Sequence, residues 1–537
     1  MKQSPALTRA LSVLPAPADF LSMTRAPRRD LLCGLTVAVV ALPLALGFGV
    51  TSGLGAASGL ATAIVAGALA ALFGGSARQV SGPTGAMTVV LVPIVHEYGA
   101  DGVLTVGLIA GVMLLALAFA RAGAAMAYVP APVIAGFTVG IACVIALQQV
   151  PSALGVPVPG GDQIAAVATR AAEEFGRAPQ WAALALSLGS AAVMLAGARR
   201  WPGVPFSLVA VAAATLVAEG LGLQVTRIGS LPASLPAPSL AFFDASRVPS
   251  LLTPAAAVAA LAALESLLSA SVADGMRPGE RHDPGKELFG QGIANLAAPL
   301  FGGVPATGAI ARTAVNVRTG AASRLAALTH AVILAGIVAA AAPLVARIPL
   351  AALAGVLLAT AVRMVETNAV RAMARATRGD ALVLALTAFA TLALDLVRAV
   401  LLGLAVSVLL ALRAAVRGSR LTPAADDEGP GCAEVTYRFD GPLLFAAAHR
   451  FRRSLAEVHG VSAVDLRMSG LTAVDATGAL ALKDAVGDLR GRGIEVRITG
   501  VERGHRKVLE SLGVLPSGAQ PSSNRGAIPS ASGASVP

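Results

Sequence analysis

The chain has 537 residues, of which 55% are hydrophobic and only 13% charged, with a mean hydropathy of +0.74. Soluble domains carry about a quarter charged residues, so this composition excludes an ordinary soluble chain, a disordered chain, a collagen and a disulfide-rich secreted domain. The 41 Lys and Arg against 30 Asp and Glu give a net charge of +11, but the excess is arginine in short loops and in the tail, which is positive-inside membrane topology and not a nucleic-acid surface.

No charged residue occurs between Asp30 and Arg78, a run that accommodates two crossings at roughly 20 residues each. Residues 1–30 carry Arg9, Arg25, Arg28 and Arg29 and no small-residue cleavage site after a short apolar core. They read as a cytoplasmic segment, and the run from Leu31 as a retained first helix. Further uncharged runs recur as far as 399–412, which predicts about 12 to 14 crossings. Cys33, Cys143 and Cys432 have no paired spacing and read as small buried hydrophobes.

Two of the apolar runs are broken, one at 79–96 by Pro83 and Gly85, the other at 288–311 by Gly302, Gly303, Pro305 and Gly308. Unwound backbone inside a membrane is tolerated only where protein or a water-filled cavity satisfies it, which is a transporter signature. Pro83-Thr84-Gly85-Ala86 is echoed by Pro305-Ala306-Thr307-Gly308-Ala309, where an inverted repeat requires it.

A helix that begins inside the membrane points unsatisfied N–H groups and the positive end of its dipole at the protein centre. Starts near Thr84 and Thr307 would aim the amides of Gly85, Ala86 and Met87 and those of Gly308, Ala309 and Ile310 at a common anion site. The hydroxyls of Thr84, Thr88, Thr307 and Thr313 would add donors. Arg312 would add fixed positive charge, at a cost of about 2.5 to 3.5 kcal/mol for an arginine at that depth; the alternative is an arginine snorkelling to the interface. Glu265 stands alone in an otherwise apolar run, so it is either protonated or paired with a cation. With Ser266 and with Ser269 one helical turn on, it offers hard oxygen ligands for Na+, or a carboxyl that carries a proton; a structural bridge to Arg312 is the alternative.

Asp274 and the cluster Arg277, Glu280, Arg281, His282, Asp283, Lys286 and Glu287 read as a solvated loop. There is no P-loop, no Gly-x-Ser-x-Gly and no zinc-type His pair, so nothing implies ATP hydrolysis or covalent catalysis. The chain is expected to be no enzyme, with no cofactor beyond Na+ as a coupling ion.

Beyond Arg420 charged and apolar residues alternate as in a soluble domain. Residues 417–431 read as a linker and 432–515 as a small α/β unit, with strands at 434–439, 462–467 and 494–499 and helices at 446–458, 477–490 and 503–512. The Ser/Gly/Pro/Ala-rich end, 516–537, is expected to be disordered.

The runs Val40 to Gly49, Ser81 to Thr88, Gly136 to Ile141, Phe301 to Pro305 and Ala311 to Asn316 resemble the SulP anion transporters. Val474-Asp475-Ala476-Thr477-Gly478 resembles the strand-to-helix loop of STAS domains. The resemblance implies an all-α polytopic membrane domain over 31–416, with about 14 helices as 7+7 inverted repeats containing two broken half-helices. It also implies a cytoplasmic α/β STAS domain, homodimers and an elevator-like movement. It maps the half-helices to 84–96 and 307–318, with Pro43 and Phe48 lining the site between them. Glu265 falls at the acidic position of the eighth helix and Ser269 one turn later, where bicarbonate-transporting members carry Asp and Thr that help hold Na+. Leu44 stands where many members have Gln. In STAS domains of the anti-sigma-factor antagonist type a phosphorylatable residue follows the Asp by two positions, here Thr477 after Asp475; a Thr477 that caps the following helix with help from Asp475 is the alternative.

The function expected from the sequence is secondary active transport of a small oxyanion, sulfate or bicarbonate, driven by Na+ or H+. The rivals are an uncoupled anion channel or exchanger, a dicarboxylate transporter, and a membrane sensor that signals through its STAS domain. The expected setting is the cell membrane, inner or plasma, with both termini cytoplasmic and no nucleic-acid partner.

Overall fold

With no water in a bilayer core to satisfy backbone groups, each long uncharged run must close its hydrogen bonds internally, as a helix. The computed structural model describes residues 13–124, 129–157, 164–201, 204–232, 234–277, 281–394, 396–424 and 434–516. It divides into two units, Met1–Ala405 and Val406–Pro537.

In the first unit a short helix α1 (Pro17–Leu21) precedes α2 (Pro27–Thr51) and α3 (Ala56–Phe73), and a two-residue strand β1 (Ser81–Gly82) leads into α4 (Gly85–Phe119). Gly99, with φ 72° and ψ −174°, divides α4 into two helices end to end, because only glycine takes that backbone without steric cost. Next come α5 (Ala131–Leu154), α6 (Ile164–Arg177), α7 (Trp181–Arg200) and α8 (Phe206–Gly220). The second half runs α9 (Val248–Met276), α10 (Pro284–Ala297), strand β2 (Thr307–Gly308), α11 (Ile310–Thr319), α12 (Arg324–Val345), α13 (Leu350–Met364), α14 (Thr367–Ala376) and α15 (Arg378–Ala393). Helix α16 (Leu396–Gly418) runs into the second unit.

Among the described residues 8 helices are long and apolar enough to cross a membrane, by length and composition. Helix α11 has only 10 residues, about 15 Å at ~1.5 Å per residue, roughly half the ~30 Å hydrocarbon core. That is the length of a half-helix. The apolar core of this unit gathers Leu42, Leu46 and Phe48 of α2 with Leu60 of α3, Leu334 of α12 and Leu357 of α13. The two strands pair antiparallel, Ser81 with Gly308 and Gly82 with Thr307, which joins the two broken segments.

Three expectations need correction. The first membrane helix starts at Pro27, ahead of Leu31, since a proline suits the first helical position. Asp30 is then fully buried, accepting from the Ala322 amide at 2.7 Å and the Ser323 hydroxyl at 2.5 Å. Cys143 is exposed on the outside of α5 while Cys33 is buried; Cys432 lies outside the described residues. Glu287 is not in a solvated loop: Asp283 caps α10, accepting from the Gly285 and Lys286 amides, which puts Glu287 in the first turn and inside the protein.

The second unit is a mixed sheet in the order β3 (Arg420–Pro423), β4 (Glu434–Leu443), β5 (Ala463–Val474), β6 (Glu495–Thr499), with helices α17 (Phe445–Ala456), α18 (Ala476–Gly491) and α19 (Arg503–Ser511). Pairs β4/β5 and β5/β6 are parallel, and each is joined through a helix as parallel strands require. Phe439, Leu443, Leu466, Met468, Leu482 and Leu489 fill its core. Strands β4 and β5 outrun their predicted ends because register shifts near Gly441 let pairing resume. Strand β3 falls in the segment read as linker; it is a mostly exposed edge strand without apolar alternation. Residues 425–433 and 517–537 lie outside the described residues.

Candidate functional site: two half-helices facing one buried arginine

Each half-helix is held at its start by a side chain from helix α9. Thr84 caps α4: its Oγ1 accepts from the Met87 amide at 3.3 Å and donates to Glu265 Oε2 at 2.9 Å. The Met87 amide is therefore occupied, and Gly85 and Ala86 remain as the first-turn donors of α4. The hydroxyl of Thr88 donates to the Gly85 carbonyl at 2.7 Å.

The second half-helix starts later than the sequence predicts, at Ile310 and not at Thr307. The Gly308 amide donates to Ser266 Oγ at 2.9 Å and the Ala309 amide to the Val80 carbonyl at 2.9 Å. Ser266 of α9 has taken the first of these donors from the anion site and the backbone just ahead of β1 the second. Ile310, Ala311 and Arg312 become the first-turn amides instead, the next amide, Thr313, bonding back to Ala309 at 2.9 Å. The hydroxyls of Thr307 and Thr313 are likewise engaged: Thr307 Oγ1 lies 3.0 Å from Ser266 Oγ, and Thr313 Oγ1 accepts from the Val80 amide at 3.0 Å and from Ser269 Oγ at 2.9 Å.

Arg312 is 1% exposed, so it does not snorkel. Its Nη2 donates to the Pro83 carbonyl, and its Nη1 has no hydrogen-bond partner among the described residues. Gly82 makes room for it, since a Cβ there would stand 2.6 Å from Nη1. The hydrogen bond of Glu265 goes to Thr84, so the alternative reading, a bridge to Arg312, is not what holds that carboxylate. Phe48 flanks the start of α4, where a Cβ on Gly85 would meet Ile145 and, at 3.1 Å, Phe48 Cε1. Pro43 is buried in mid-helix, where it denies the Val39 carbonyl its helical donor.

Glu265 and Ser269 lie one turn apart on α9, but their polar atoms serve different half-helices, Thr84 of the first and Thr313 of the second. Two residues on one helical face can diverge because the glutamate side chain is long and the serine short. Ser269 donates its proton to Thr313, so the lone pairs of its oxygen remain for a cation held by both residues.

A buried network beneath the strands was not anticipated. Glu287 Oε1 accepts from Gln79 Nε2 at 2.8 Å and Gln291 Nε2 at 3.0 Å, while Oε2 accepts from the Gly75 and Ser76 amides at 2.9 and 3.1 Å. Gln291 also donates to Ser81 Oγ at 2.7 Å, and Asn295 exchanges two hydrogen bonds with the backbone of Ala306, at 2.8 and 2.9 Å. The signal was legible: Glu287, Gln291 and Asn295 recur every four residues, which is one face of a helix in an apolar run.

In the second unit Asp475, not Thr477, caps α18, its Oδ1 accepting from the Gly478 amide at 2.7 Å. Thr477 stands exposed in the first turn. Gly478 packs on the Leu443 carbonyl so closely that no Cβ fits.

Comparison with known proteins identifies the family of the chain. The sulfate permease family model matches residues 28–387 and the STAS domain model residues 425–522. The Bacillus subtilis protein YvdB, assigned to sulfate transport by name only, is 34% identical over 502 residues, covering 91% of this chain and 94% of that one. The bicarbonate transporter BicA of Picosynechococcus is 30% identical over 516 residues, covering 90% of each. The inward-facing structure of murine solute carrier 26 family member A9, an anion transporter, superposes with a TM-score of 0.82 over 96% of this chain and 92% of its own; at 17% identity it shows a shared fold. Helices broken at two related points and joined by paired strands, in a chain that aligns almost end to end with these relatives, make this a multi-pass member of the sulfate permease family with a C-terminal STAS domain.

Proposed function

We propose that the chain is a secondary active transporter of a small inorganic oxyanion, sulfate or bicarbonate, coupled to Na+ or H+. The observation that carries this reading is Arg312 Nη1, buried and without a partner among the described residues, in the first turn of α11 and beside Gly82 just ahead of α4. A buried charged group left unpaired is costly, and an oxyanion completes it with charge-assisted hydrogen bonds. The half-helix N-termini add partial positive charge. The named substrates of BicA and YvdB, bicarbonate and sulfate, support the same class.

Glu265 is the group that takes the coupling cation. A proton needs only that carboxylate, whereas Na+ also draws on the lone pairs of Ser269 Oγ, which stay available while that hydroxyl donates to Thr313. Occupancy by anion and cation together leaves the site near neutral, which lowers the cost of carrying it across the bilayer in an elevator-like movement. The protein works as a homodimer in the cell membrane with both termini in the cytoplasm. Thr477 is a phosphorylation site, since phosphate at the start of α18 meets a helix N-terminus.

The test is uptake of labelled bicarbonate and labelled sulfate into proteoliposomes, with and without an inward Na+ gradient at constant pH, and with a proton gradient at constant Na+. Gradient-stimulated uptake of either anion is the expected result. Flux that ignores both gradients makes the protein a channel or exchanger, and absent flux of either anion overturns the reading.

A further inference from the structure

A second group of arginines lies away from Arg312, around a cavity of about 240 Å³ lined by α1, the segment between α3 and β1, the end of α9 and the start of α12. That is smaller than the ~300–1,000 Å³ of pockets for drug-sized molecules, a size suited to a small ion. Arg25, Arg78, Arg281 and Arg324 all line it. Its carboxylates are spent on other partners: Asp19 accepts from Lys286 Nζ at 2.8 Å and from the Ala16 amide at 2.8 Å, and Asp274 accepts from the His282 amide at 3.1 Å and ring Nδ1 at 2.7 Å. Among the described residues none of the four arginines makes a direct ion pair, although the Asp19 and Glu287 carboxylates lie near enough to Arg324 to offset part of its charge.

Two of these arginines are largely buried and meet water only through the cavity. Arg78 is 9% exposed and Arg324 4%, and the Nε of each is buried with no hydrogen-bond partner among the described residues. Arg324 Nη1 is fixed by the Ala71 and Gly74 carbonyls at 3.1 and 2.5 Å. A surface arginine that merely marks the positive side of a membrane keeps its whole head in water; these two keep their Nε atoms out of it.

We propose that this cavity is a second oxyanion site, for a phosphate-type dianion, either free phosphate or the phosphate monoester of a lipid headgroup. Arg78 and Arg324 form the buried wall, and the exposed Arg25 and Arg281 close over the ion. The site bears on transport through the backbone: the Arg78 carbonyl accepts from Asn316 Nδ2 of α11 at 2.8 Å, and Val80, two residues on, donates to Thr313. An anion that orders residues 75–78 therefore orders the approach to β1.

The experiment is titration calorimetry of inorganic phosphate into the purified full chain in detergent. Arg25→Gln with Arg281→Gln changes only exposed side chains and should weaken phosphate binding about tenfold or more, the scale of one lost charge-assisted hydrogen bond. Arg312→Ala should retain that binding. Should Arg312→Ala fail to fold, the wild type carries the test, losing one equivalent of bound phosphate on the double substitution. Phosphate binding that disappears with Arg312→Ala, or that ignores the Arg25/Arg281 double substitution, overturns the proposal. Dihexanoyl phosphatidic acid then separates the sources: competition with phosphate indicates a headgroup site, and phosphate binding without competition a site for the free ion.

Discussion

The Thr84 hydroxyl donates to the Glu265 carboxylate while accepting from the Met87 amide, so one side chain links the acidic group of α9 to the start of the first half-helix. A change of charge at Glu265 is thus transmitted directly to the start of the first half-helix.

Glu265→Gln keeps an oxygen acceptor for Thr84 and removes the charge. The expected outcome is a folded protein, with unfolding temperature near wild type, that no longer accumulates anion against a gradient. Uptake in proteoliposomes checks it; gradient-driven accumulation unchanged from wild type would remove Glu265 from the coupling role.

Gly82→Ala places a methyl group 2.6 Å from Arg312 Nη1. Overpacking of this kind costs about 1–3 kcal/mol, and the displaced guanidinium should also weaken anion binding. If the clash is the cause, Gly82→Ala combined with Arg312→Ala destabilises by less than the sum of the two, with a coupling of about 0.5–3 kcal/mol. Strict additivity in thermal unfolding of the four proteins would show that Gly82 acts elsewhere.

Glu287→Gln turns one of two accepting oxygens into a donor facing two of the four N–H groups around the carboxylate. The loss should be about 1–3 kcal/mol for each donor left unsatisfied, with faster amide exchange at residues 75–79. Exchange unaltered there would mean that water replaces the lost acceptor.

In the second unit Asp475→Ala should cost about 1 kcal/mol as the loss of a helix cap, read as reduced exchange protection at the start of α18. Thr477→Ala should leave that protection unchanged. Equal effects would assign Thr477 a share of the capping.

Composition and periodicity determined much of this protein. The uncharged runs made helices because a bilayer offers no other partner for the backbone, and Pro83, Gly85, Pro305 and Gly308 marked where those helices had to break. Arg312 and Glu265 were legible as anomalies because charge in an apolar run is expensive. Alternation in the tail gave three strands and three helices of a STAS domain, and missed only the short edge strand at Arg420–Pro423, which buries no face that could impose a pattern.

Tertiary structure decided which donors are free. Local sequence makes Gly308 and Ala309 the first amides of a half-helix, but the hydroxyl of Ser266 and the Val80 carbonyl, beside the pairing of Ser81 with Gly308, consume them. It likewise split Glu265 from Ser269 and buried Glu287 under four donors. Each of these outcomes depends on a partner far away in the chain. A hydrogen bond is satisfied by whatever group packing brings near, and one segment read alone does not contain that group.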